Sequence, residues 1–175
     1  MRLQPQTVSF LSYLRQNKPI RDRISAPPHR TMLYAGHFTK AAWQELDDYR
    51  SNTPIGQFVT LPDALVRIPG EGKDLNLLST VQLLEKQVPW QPDGFTIWRA
   101  LSGIFAANAI GHVYLYVGSG VDTKTKVFAA TEIRVLAKNQ KLHPVMKRAV
   151  QHLLNCVNSR QSDINFGYLP IQWPE

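Results

Sequence analysis

Residues 95–136 read FTIWRALSGIFAANAIGHVYLYVGSGVDTKTKVFAATEIRVL. The stretch opens with the period of a helix, predicted over 98–109. Trp98 and Ser102 stand four apart and share a face, which Phe105 and Ala109 continue. Residues 112–118 then predict a strand. After a polar loop, residues 127–135 alternate as a second strand. Phe128, Ala130, Glu132 and Arg134 fall on one side of it, and Val127, Thr131, Ile133 and Val135 on the other. Glu132 occupies a position where a structural strand carries Val or Ile. A buried carboxylate is expensive unless it has a partner or a task. Taken alone, Glu132 is as well read as an ion pair with Arg134 at a sheet edge. Taken alone, the Trp98/Ser102 stripe is better read as core, with a serine bonded back to its own helix.

Outward from this stretch the chain divides by texture. Residues 5–16 read as a helix with Val8, Leu11 and Leu14 near one face, and 17–31 as a proline-rich connector. Residues 31–34 suit a short extended segment. Thr39 caps a helix to about residue 50. Residues 51–74 read as loop, with a helical turn at 62–66. Asp74 caps a helix to about Lys86, with Leu75, Leu78 and Leu83 available for burial. The segment VPWQPDG, 88–94, marks a lobe boundary. Beyond residue 136 come a helix at 144–156 and a short strand at 166–171. The expectation is one catalytic domain, 1–175, of α/β class with α+β character. A mainly helical lobe, 1–90, precedes an α/β lobe, 91–175, with a small, largely parallel sheet flanked by helices.

Composition excludes several classes. The 175 residues suit one domain and are 43% hydrophobic, with no apolar run long enough for a membrane span. The N-terminus lacks a signal-peptide pattern. A single cysteine, Cys156, permits no intrachain disulfide and no cysteine metal set. The five histidines show no helical ligand spacing to one another, so no metal is expected. The net charge of +7 suits solubility first and a polyanion or acidic partner second. Dinucleotide-fold glycine, P-loop and nucleophile-elbow patterns are absent.

The combination W-x-x-x-S-x-x-F-A-x-x-A, a strand, a polar loop and V-F-x-x-x-E resembles the ADP-ribosyl cyclase / NAD glycohydrolase family. The resemblance is firm over about 40 residues, a span read from the sequence itself. It implies an ADP-ribosyl cyclase-like fold, with Trp98 and Ser102 lining the pocket and Glu132 as the catalytic residue. Phe128 and Phe105 belong to the substrate wall, Phe128 beside the phosphates. Upstream, Leu33-Tyr34-Ala35-Gly36 is similar to the family's first pocket wall, with Tyr34 replacing Trp. Thr60-Leu61-Pro62-Asp63-Ala64-Leu65 is similar to the family's T-L-E-D-x-L signature, which adds Thr60 and Asp63 to the substrate contacts. Pro62 replaces an acid that influences, in the family, whether the product is cyclised. The family's basic phosphate ligand would fall near Gly36.

The resemblance implies cleavage of the nicotinamide–ribose bond of NAD, with NAD as substrate and no cofactor. Hydrolysis is expected over cyclisation, because cyclisation demands tighter geometry and water exclusion. The alternatives are an ADP-ribosyl cyclase, a mono-ADP-ribosyltransferase and a basic nucleic-acid-binding module. A basic, cysteine-poor chain without a signal peptide fits an NAD-depleting toxin or effector acting in a reducing cytoplasm after delivery. An acidic immunity protein is the expected partner.

Overall fold

The computed structural model describes residues 2–35, 44, 48, 58–117, 126–160 and 166–168. The expected helix cap at Thr39, the polar loop over residues 118–125, and Gly36 lie outside the described residues. Of the helix expected over 39–50, Gln44 and Asp48 are described. Both are helical and joined by a 2.8 Å side-chain bond.

The chain begins with α1 (Pro5–Gln16) and the short α2 (Lys18–Arg23), which falls inside the expected connector. Proline opens both, where its missing N–H costs nothing. The buried face of α1 is Thr7, Phe10 and Leu14, while Val8 is half exposed. Strand β1 (Thr31–Ala35) follows, and later α3 (Leu61–Val66) and α4 (Leu77–Glu85). The cap of α4 is Asn76, two residues beyond Asp74. Its Oδ1 accepts from Ser79 N at 2.9 Å. Leu83 points outward and is 46% exposed.

A widened turn, Trp90–Gly94, leads into α5 (Phe95–Asn108), and β2 (Val113–Val117) follows. Strand β1 pairs in parallel with β2, Thr31 opposite Val113 through Ala35 opposite Val117. Strand β3 (Phe166–Tyr168) pairs antiparallel on the other side of β2. The sheet is therefore mixed and small, and helices dominate the architecture. Val113, Tyr114 and Leu115 of β2 are all fully buried, which explains a strand without polar alternation. Because β1 precedes residue 90 and β2 follows it, the two expected lobes share one sheet. They also share one core, which runs from Phe10 to Val157.

The expected strand at 127–135 is helical. Residues Phe128–Glu132 form a π-helical turn that continues as α6 (Ile133–Lys138). Its buried residues are Phe128, Ala129, Glu132, Ile133 and Leu136, which recur at four-residue intervals. Alternation of Val, Thr and Ile suggested a strand, but Ala129, Ala130 and Ala137 favour helix. The packing partner, α5, then selects the helical face. Helix α7 (Pro144–Asn158) buries Met146, Val150, Leu153 and Val157 against α6. Each such side chain contributes about 1.5–3 kcal/mol of burial. Buried Asn139 ties the junction together. Its amide donates to Ala106 O at 3.0 Å and Ala109 O at 2.9 Å, and its Oδ1 accepts from Lys141 N at 2.9 Å. The open carbonyls at the end of α5 are thereby satisfied.

Candidate active site

Glu132 ends the π-helical turn and points into a cavity of about 330 Å³. Tyr34 and Ala35 from the end of β1, Trp90 from the widened turn, and Trp98 and Ser102 from α5 line it. Lys126, Val127, Phe128 and Glu132 close the remaining side. The size is within the range of small-ligand pockets. Chemistry distinguishes this cavity from larger ones. A cleft of about 470 Å³ beside α1 and α4 holds, among the described residues, a single titratable group, Glu71.

Two close approaches build the site. At Gly103, an added Cβ would stand 3.2 Å from Thr131 Cγ2, so the small residue lets α5 settle against the π-helical turn. Arg99 Nε donates to Thr131 Oγ1 at 3.0 Å across the same seam. At Gly94, a Cβ would meet the Trp90 ring at 2.8 Å, so glycine lets that indole lie against the start of α5. Trp90 then meets Phe95 edge to face, with centroids 6.3 Å apart. The π geometry widens the turn that carries Phe128 and Glu132. Such single π turns recur at functional sites.

Glu132 is buried, at 8% exposure, yet lines the cavity. Burial raises its carboxyl from 4.5 to about 7, while a hydrogen bond from Ser102 pulls the other way. Ser102 is itself buried and lines the same cavity. The ion pair with Arg134 is not formed. Arg134 turns away, donating to Ala129 O at 3.0 Å and Asn158 Oδ1 at 3.2 Å. The Trp98 indole N–H donates to Glu85 Oε1 at 2.5 Å, which fixes the ring plane from the end of α4.

Five of the expected site residues come together: Tyr34, Trp98, Ser102, Phe128 and Glu132. Three do not line the cavity. Phe105 is fully buried core. Thr60 and Asp63 form a reciprocal capping box on α3. Asp63 Oδ2 accepts from Thr60 N at 2.9 Å and Thr60 Oγ1 at 2.7 Å, and Asp63 N donates back to Thr60 Oγ1. The spacing that resembled a signature is also that of a helix cap. Trp90, Lys126 and Glu85 were missed. Trp90 lay in the boundary segment, where an exposed aromatic between prolines was the available signal. Lys126 was counted with the general basic surface. Nothing local linked Glu85 to Trp98.

A buried carboxylate among aromatic rings can oppose a cation, and Lys126 supplies one positive charge for an anionic group. Among the described residues no set of three or more His, Cys, Asp or Glu could hold a metal ion, and no helix is long and apolar enough to cross a membrane. Compared with known proteins, the chain matches no family model, no curated protein and no solved structure.

Proposed function

We propose that this protein is an NAD glycohydrolase, releasing nicotinamide and ADP-ribose from NAD. The observation that carries the reading is the buried Glu132 carboxyl, held by Ser102 at the wall of a cavity it shares with Trp98. The nicotinamide ring is a cation that leaves as a neutral molecule, so its departure needs no general acid. The developing positive charge passes to the ribose, where an oxocarbenium-like centre forms. A carboxylate in a low-dielectric cavity opposes that charge more strongly than it would in water. Burial penalises the ionised form. An arriving cation offsets the penalty, so binding and ionisation of Glu132 favour each other.

The remaining roles follow from position. Trp98, with its plane set by Glu85, and Trp90 offer faces for the nicotinamide or the ribose. Ser102 holds the carboxylate toward the reacting carbon. Lys126 is the candidate contact for the pyrophosphate, the role left open near Gly36. Water then attacks the ribosyl cation and loses its proton to solvent. The setting proposed is that of an NAD-depleting effector with an acidic cognate inhibitor, acting in a reducing cytoplasm.

The test is chromatography of NAD incubated with the purified chain, beside Glu132→Gln and Trp98→Ala. The expected products are nicotinamide and linear ADP-ribose, with both variants strongly impaired. Intact NAD after hours with the wild type refutes the reaction. Full activity in Glu132→Gln refutes the catalytic assignment. A cyclic product identifies a cyclase, and label transferred from NAD to macromolecules identifies a transferase.

A further inference from the structure

The outer face of the turn that carries Glu132 is an arginine groove. Arg99, Arg134, Arg160 and Asn158, with Ala129 and Ala130 as floor, enclose about 440 Å³. Arg99 is the ridge to a second groove of about 440 Å³, where Arg15 and Arg21 stand over Leu11, Leu14 and Ile104. Among the described residues that line the two grooves there is no carboxylate. Among the described residues the ion pair formed is Lys18–Asp22, so these five guanidinium groups form none there. Three are fixed by hydrogen bonds that leave other N–H groups over. Arg99 donates to Thr131, Arg134 to Ala129 and Asn158, and Arg21 to Leu14 O at 2.8 Å.

Arg160 provides a separate observation. It follows the last turn of α7 with φ +53°, and its N–H donates to Val157 O at 3.2 Å. Glycine is the residue that position favours, and a side chain there costs about 1–2 kcal/mol. The chain instead places a guanidinium there, and that guanidinium borders the groove. A local rule broken without local gain marks a position held for another purpose.

We infer that the double groove is a docking surface for an acidic amphipathic protein segment. Its carboxylates would pair with the arginines in two-pronged contacts, and its apolar side chains would cover Leu11, Leu14 and Ile104. A single-stranded nucleic acid fits less well, because among the described residues neither groove is lined by an aromatic ring on which bases would stack. The surface stands apart from the cavity of Glu132, and its assignment does not rest on the reaction.

Fluorescence anisotropy with the intact chain tests this, using a labelled peptide of about 16 residues, roughly four helical turns. It carries leucines on one helical face and glutamates on the other. A glutamine-for-glutamate counterpart and a single-stranded oligonucleotide are the comparison probes. The glutamate peptide binds, and its affinity falls with added salt. Arg160→Gly weakens it by about tenfold, the loss of one charge-assisted contact, without lowering the melting temperature. Arg15→Gln, an exposed change at the second groove, weakens it similarly. Equal binding of the glutamine peptide, no binding of the glutamate peptide, or unchanged affinity in both variants overturns the inference. So does tighter, Arg160-dependent binding of the oligonucleotide, which would make the groove a nucleic-acid surface.

Discussion

Glu132→Gln is expected to stabilise the protein at high pH while removing its activity. The carboxyl titrates at about 7 in the folded protein and 4.5 when unperturbed, because burial penalises its charge. Below about pH 4.5 it is protonated in both folded and unfolded chains and contributes no difference. Between 4.5 and about 7 the unfolded chain releases the proton and the folded one keeps it, so stability falls as pH rises. Above 7 the loss is complete. At about 1.4 kcal/mol per pH unit, this gap amounts to about 3 kcal/mol. Gln is nearly isosteric and carries no charge, so it escapes that loss. The variant should match the wild type near pH 4.5 and exceed it by about 3 kcal/mol at pH 8. In a chain of 175 residues that is roughly 6–12 °C in melting temperature. Thermal melts of both proteins across pH provide the assay. Taking the difference removes the contribution of buried His112, whose pKa is lowered by burial and by His143 and His29. That group destabilises both proteins alike as pH falls below its ordinary range. A difference that stays flat from about pH 5 to 8 would refute the buried, titrating carboxyl, and with it the electrostatic basis of the proposed reaction.

Ser102→Ala removes the hydrogen bond that opposes the rise in the Glu132 pKa, so the acid limb of NAD turnover should move to higher pH in a pH–rate profile. Glu85→Ala frees the Trp98 indole and should lower kcat/KM. Glu85→Gln, which keeps an oxygen acceptor, should retain most of the activity in the same assay. Asp63→Ala breaks the α3 capping box and should cost about 1 kcal/mol in denaturant unfolding while turnover is unchanged. Loss of turnover without loss of stability would instead return Asp63 to the substrate. Asn139→Ala strands buried carbonyls at the end of α5 and should cost about 2–4 kcal/mol in the same unfolding measurement.

The sharing of one wall by Phe128 and Glu132 was legible for a reason that does not depend on secondary structure. Four residues is an even number, which keeps two side chains on one face of a strand. It is also close to one helical turn, which keeps them on one face of a helix. The identity of the element was not legible, because Val127–Val135 alternates while also repeating at helical intervals. Arg134 shows the consequence. A strand places it beside Glu132, whereas the helix turns it into the arginine groove on the outer face.

From its own residues the chain determined a helix carrying Trp98 and Ser102, the core strand Val113–Val117, and a carboxylate out of place among apolar neighbours. These are local patterns, and burial periodicity reports them directly. The tertiary structure alone decided that Trp90 and Lys126 join Tyr34 at that carboxylate, and that Glu85 steers Trp98. Those outcomes depend on β1 pairing with β2 and on α5 settling against a π-helical turn. Contacts between residues 30 to 90 positions apart, as at Arg99–Thr131 and Gln4–Asp93, arise from the closure of the whole core and leave no periodic trace in the chain.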